Sequence, residues 1–329
     1  MSPGPPRGLA SRVTNLYLPL APPPAQLIQF TTLLEGGELC HFGGRIEDVP
    51  AEPAVVRPNP FHCRPGPRQT QAPTTASLLK WACDDAGMRA LHELIEVEDP
   101  AWPVLLGEVA GAVVPVEVLG GDVERGRAVL GQLQVSARSY LGGLVLNCGG
   151  LLVDGGWLRV FGSPDDAESA GLPGLAEVNG MPAEFDPAWR PDAGLVVAQD
   201  VLGGVFALNG ADPAGDGRPG GPGEVVYFAP EALRWEALGA GYSAWLSWVL
   251  GGDLKGFYEG VRWPGWREEV AGLRRTEGFA FYPPLWTAEA RQDLRGADRR
   301  SVPMGELVGA GRESCLQLDG VDPGFLGIV

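Results

Sequence analysis

At Gly149-Gly150 the hydrophobic period of the chain changes, and that change constrains the fold more than any other feature of the sequence. Ahead of it, from residue 88, apolar residues recur at helical spacing. Leu91, Leu94 and Ile95 mark one helix. Asp99 and Pro100 are placed to start a second, with Trp102, Leu105, Leu106, Val109 and Val113 as its stripe. Asp122 caps a third carrying Val129, Leu130 and Leu133, and Ser139 a fourth carrying Leu141, Leu144, Val145 and Cys148.

Beyond the glycines the period is two. Leu151–Val153 and Trp157–Phe161 flank an Asp154-Gly155-Gly156 turn, and Leu195–Val201 and Val205–Leu208 flank Gly203-Gly204. Glu224–Phe228 and Leu233–Trp235 add two more, giving about six antiparallel strands. The segment GADPAGDGRPGGPG reads as a mobile surface loop. Helical spacing then returns, with Ser243 capping a helix around Trp245, Trp248 and Val249, and Asp253 another running to Val261; shorter helices follow from Trp266, over Ala288–Leu294 and over Met304–Val308. Helices, then strands, then helices predict an α+β domain with helices on one face of an antiparallel sheet.

Residues 1–87 read differently. Prolines punctuate MSPGPPRGLASRV, LPLAPPPAQ and VRPNPFHCRPGPRQTQAPTT, and the apolar fragments between them are short. The expected organisation is a disordered extension over 1–87, or upstream sequence wrongly assigned to the protein with Met88 as the biological start, then an α+β domain over 88–309 and a flexible tail over 310–329. Cys40-His41 and His62-Cys63 offer zinc-type ligands, but without a scaffold to converge them, so no metal is expected.

Charge narrows the partners. Lys and Arg number 25 against 41 Asp and Glu, and since residues 1–87 are balanced, the net −16 falls entirely on residues 88–329. Such a domain repels phosphate backbones and anionic lipid, so neither nucleic acid nor membrane is an expected partner; a basic protein is. With no apolar run of membrane length and five irregularly spaced cysteines, the sequence reads as cytoplasmic.

The strings LHELIEVEDPAWP, LGGLVLNCGGLLVDGGWLRVFGS, VVAQDVLGGVFALNG and VVYFAPEALRWEALGAGYSAWLSWVLGGDLKGFYEGVRWPGW resemble the bacterial family called domain of unknown function 2625, over about residues 88–308. The layout is also remotely similar to the SUKH superfamily, through Gly149-Gly150, Asp154, Trp157, Tyr227, Phe228, Ser243 and Leu246. The second resemblance implies in many members an immunity protein that binds and neutralises a toxin, often a nuclease, and in others a signalling or scaffold module.

Most bond-breaking chemistry lacks its residues. A nucleophile–histidine mechanism has only His92 after Met88, far in sequence from Cys148 and Cys315, and no phosphate loop or cofactor motif is present. Asp154 and Asp200, both beside hairpin turns, are the candidates for a carboxylate-dependent hydrolase of a sugar or other small molecule. The favoured expectation is a non-enzymatic, cofactor-free module. It would meet its partner through Asp154, Asp200 and Glu231 at a sheet rim, or through an aromatic groove of Trp263, Trp266, Tyr282 and Trp286. An oligomeric scaffold without ligand is the third possibility.

Overall fold

A computed structural model describes residues 27–33 and 39–45 as backbone, and residues 88–165, 171–191 and 193–328 in full. The expectations for residues 1–87 otherwise fall outside the described residues, as do the side chains of both Cys-His pairs. Strands β1 (Leu27–Leu33) and β2 (Leu39–Arg45) form an antiparallel pair.

The main sheet is a meander in which each strand pairs antiparallel with the next. It comprises β3 (Val116–Leu119), β4 (Gly150–Val153), β5 (Leu158–Phe161), β6 (Leu195–Asp200), β7 (Val205–Leu208), β8 (Glu224–Ala229) and β9 (Arg234–Gly241). A second sheet pairs β10 (Glu277–Tyr282) with β11 (Asp298–Pro303). Four helices precede the meander's hairpins: α1 (Leu91–Ile95), α2 (Trp102–Ala110), α3 (Val123–Leu133) and α4 (Tyr140–Asn147). The short α5 (Leu175–Val178) interrupts them. After β9 come α6 (Tyr242–Gly251), α7 (Leu254–Phe257), α8 (Trp266–Ala271), α9 (Ala288–Gln292) and α10 (Met304–Leu318).

The turn chemistry explains the meander. Asp154, Gly155 and Gly156 take φ of 52°, 71° and 88°, closing the hairpin between Val153 and Leu158. Two of these three left-handed positions are glycine, where that conformation is cheap. At Gly204 a Cβ would collide with the Tyr227 hydroxyl and Asp200, so the β6–β7 turn tolerates no side chain there.

Helices cover both faces of the sheet rather than one. Phe206 and Tyr227 are cross-strand partners, and their rings meet Trp245 of α6 and Phe257 of α7. Phe228, next along β8, must point the other way. It packs on Trp235 and lies against Gly311 of α10. Strands β4 to β7 are consequently buried along their whole length.

Five further expectations change. The boundary at 309 falls inside α10, because Met304, Val308 and Cys315 continue one buried face. The segment after it is strapped down: Trp235 donates its indole N–H to Pro323 O at 2.8 Å, Leu326 is buried, and Ile328 N bonds Val178 O at 2.7 Å. The glycine-rich 210–223 loop is likewise pinned, with Arg218 buried over Trp235 and donating to Phe325 O at 2.6 Å. Finally, α6 is capped at Gly241 rather than Ser243, and α2 at Ala101 rather than Asp99, since Pro103 sits at the second helical position.

Candidate functional site

The carboxylates expected at a partner-facing rim are instead inside: Asp154, Asp200 and Glu231 are 2%, 0% and 4% exposed. Asp154 pairs with Arg262 Nη1 at 2.8 Å and Arg267 Nη2 at 3.4 Å. The Arg262 guanidinium lies 4.7 Å from the Trp157 ring, 5.1 Å from Tyr258 and 4.3 Å from Trp266. Burial pulls its pKa down while Asp154 opposes the fall, so one carboxylate and three aromatic faces hold the cation.

Asp200 uses both oxygens. Oδ1 accepts the backbone N–H of Leu202 and of Gly204, each at 2.9 Å, and Oδ2 accepts the hydroxyls of Tyr227 at 2.8 Å and Tyr258 at 3.0 Å. Tyr258 thereby links the two acids, its hydroxyl on Asp200 and its ring against Arg262. They belong to one buried network, and neither lines the cavities of about 110, 650 and 430 Å³. A carboxylate filled by four donors and sealed from water holds structure together.

The aromatic set behaves the same way, except Tyr282, which is exposed. Trp263 packs against Trp157, Phe279 and Phe281, and donates its indole N–H to Glu269 at 2.9 Å. Arg299 of β11 grips both oxygens of Glu269 at 2.7 Å and lies over the Trp263 ring. This clasp fastens the small sheet to α8 and to the Trp263 ring. Trp266 meets Trp157 edge to face, and Trp286 is buried at the wall of the 110 Å³ cavity. Of these four residues only Trp286 lines one of the three cavities.

Arg159 was not foreseen at all. It lies buried on β5 and donates to the carbonyls of Arg274, Arg275 and Glu277; burial lowers its pKa to about 10 against the attraction of Asp200. Cys148 and Cys315 are buried thiols pushed up to about 12 by desolvation, unlike an activated nucleophile. His92 is exposed on α1.

Among the apolar side chains that face water, Val104 and Leu106 share one helix, α2, with Val113 just beyond it. The helix is nine residues long with one charged residue, Glu108, and that residue turns inward. Its carboxylate accepts the Tyr140 hydroxyl of α4 at 2.6 Å and the Ser247 hydroxyl of α6 at 2.8 Å. The outward arc consists of Pro103, Val104, Leu106, Gly107 and Ala110, all exposed and none polar. Val104 is 57% exposed, Leu106 41%, and Val113 just past the helix 65%. Among α2 residues only Leu105 is fully buried.

A helix apolar around its circumference is ordinarily covered on all sides. Among the described residues this one is covered on one side, by α4 and α6. The expected stripe named Leu106 and Val113 as core; both are at the surface. Periodicity cannot choose a buried face when every face is apolar, so the only sequence signal was the scarcity of charge between Trp102 and Val113.

The profile of a family described as protein of unknown function DUF2625 matches residues 91–307. An uncharacterised protein of Escherichia coli K12, YbfG, is 42% identical over 227 residues, covering 67% of this chain and 94% of that protein. An uncharacterised protein of Haemophilus influenzae is 33% identical over 199 residues, covering 60% of this chain and 83% of that one. No solved structure matches.

Proposed function

We propose that this chain, which belongs to the DUF2625 family, is a non-enzymatic module that binds another protein through the outward face of α2. The carrying observation is the polarity of that helix: its one carboxylate hydrogen-bonds to Tyr140 and Ser247 of the fold, while Val104 and Leu106 face water. Contiguous exposed apolar surface of this kind marks interaction sites. The acids and aromatics with chemical potential are occupied by one another, which favours binding over the carboxylate-hydrolase reading. Neutralisation of a basic toxin or nuclease, as in SUKH immunity proteins, is the narrower form of the proposal, supported by the resemblance in layout and by the charge of −16.

A photoreactive residue placed at Leu106 tests it in the native host. The expected result is a discrete protein adduct that is lost when Val104→Gln is added, while the same residue at exposed Val321 gives none. Equal labelling at both positions, or none at Leu106, would overturn the proposal.

A further inference from the structure

The apolar arc of α2 does not stand alone in the chain; exposed carboxylates lead directly into the helix. Between Arg89 and Arg125 the chain carries eight carboxylates, at Glu93, Glu96, Glu98, Asp99, Glu108, Glu117, Asp122 and Glu124, and no lysine or arginine. Five of them are already engaged. Glu93 caps the Ala90 N–H, Glu108 bonds Tyr140 and Ser247, Glu117 pairs with Arg275, and Asp122 and Glu124 pair with Arg125 and Arg127. Glu96, the C-cap of α1, and Glu98 and Asp99, in the link from α1 to α2, are exposed and have no ion-pair partner among the described residues. One exposed cation, Arg138, follows Ala137, whose carbonyl accepts the Ala101 N–H. Three carboxylates outnumber it.

We infer that the face formed by Val104, Leu106 and Val113 with Glu96, Glu98 and Asp99 receives a basic amphipathic protein segment, its apolar side chains on α2 and its lysines or arginines over the three carboxylates. The inference rests on the docking reading above and names the chemistry of the partner. A second copy of this chain fits poorly. A two-fold contact pairs this patch with itself, and since Val104, Leu106, Val113, Glu96, Glu98 and Asp99 include no lysine or arginine, a second copy supplies no cation to the three carboxylates. A neutral apolar partner would leave the carboxylates uncompensated at the rim. A cationic one gains faster encounter as well as contact, with a salt dependence that reports the charge.

The test uses the full chain and three labelled synthetic helical peptides: Leu/Lys, Leu/Glu, and Ser/Lys of equal charge to the first. By fluorescence anisotropy the Leu/Lys peptide is expected to bind saturably, and about tenfold or more tighter than either of the others. The Val104→Gln/Leu106→Gln chain, which removes apolar surface without adding charge, is expected to lose about tenfold in affinity. The Glu96→Lys/Glu98→Lys/Asp99→Lys chain is expected to prefer Leu/Glu over Leu/Lys.

If Leu/Glu binds the unaltered chain as well as Leu/Lys does, the cationic partner is overturned while α2 stands as the docking face. If Ser/Lys matches Leu/Lys, attraction is nonspecific and the inference fails. If no peptide binds and the Leu106 photoadduct is a dimer of this chain, the face belongs to a second copy and the inference fails. If no adduct forms at Leu106 either, the docking reading itself is lost.

Discussion

Asp200 and Leu106 stand in reversed relation to water. One is a carboxylate sealed in the sheet, and the other is an aliphatic side chain left out on a helix. Around Asp200 every polar atom of the carboxylate has a donor, so the region is complete in itself. Around Leu106 the reverse holds, and the region is complete only when something covers it. The contrast teaches that residue type misleads as a guide to function here, and that the degree of satisfaction of each group is the better one.

The largest effect that would break the contrast is at Asp200. Asp200→Ala strands two backbone N–H groups and two tyrosine hydroxyls in the interior, and the expected loss is roughly 4 kcal/mol of folding stability. Urea unfolding followed by tryptophan fluorescence measures it. A change below about 1 kcal/mol would mean that water or substrate reaches this carboxylate after all, and the hydrolase reading would gain ground.

Next is the Asp154–Arg262 pair. Asp154→Ala leaves a cation buried among three rings and is expected to cost about 3 kcal/mol. Because the penalty lies in the abandoned charge, Asp154→Ala/Arg262→Met is expected to be more stable than Asp154→Ala alone, with a coupling of about 1–3 kcal/mol from a double-mutant cycle. Simple additivity would show that Arg262 is not held by Asp154.

Much of this was legible in the sequence and the rest was hidden for identifiable reasons. The hairpins at Asp154-Gly155-Gly156 and Gly203-Gly204 and the helix caps at Asp122 and Ser139 are local events, written in adjacent residues, and they stand as read. Strands β3, β10 and β11 went unseen, since four residues such as Val116–Leu119 carry too little alternation and the Arg-rich β11 too little hydrophobicity. The candidate site was mislocated for a related reason. Whether Asp154 faces a partner or a buried arginine depends on Arg262, more than a hundred residues downstream, and no spacing rule encodes that meeting. Likewise α2 was recognised as a helix, but its outward face is decided by where α4 and α6 lie.

The comparison sharpens further on two neighbouring leucines of α2. Leu105→Ala is expected to cost about 3 kcal/mol by opening a cavity under the helix. Leu106→Gln, one residue on and of good helix propensity, is expected to stay within about 0.5 kcal/mol. Thermal unfolding of the two variants decides between an exposed and a buried Leu106. Equal losses would place Leu106 in the core and remove the docking face.

The smallest expected effect lies at Glu108, where the two regions meet, because this carboxylate is what the α2 helix has turned inward. Burial raises the Tyr140 phenol above its ordinary value of 10.0, and the hydrogen bond and negative charge of Glu108 raise it further. A phenol whose pKa is higher in the folded chain contributes stability that is complete below the unfolded value. That contribution is lost as pH rises through the folded value. Glu108→Gln removes the charge and keeps an oxygen able to accept one hydroxyl, so the expected cost near neutral pH is no more than about 1 kcal/mol. Tyr140 should titrate lower in the variant than in the unaltered chain and yet above 10.0, since burial, the larger cause, remains. Difference absorbance of tyrosinate between the Glu108→Gln and Glu108→Gln/Tyr140→Phe chains isolates that one phenol. An unchanged titration would detach Glu108 from Tyr140 and, with it, the inward anchor that leaves Val104 and Leu106 facing out.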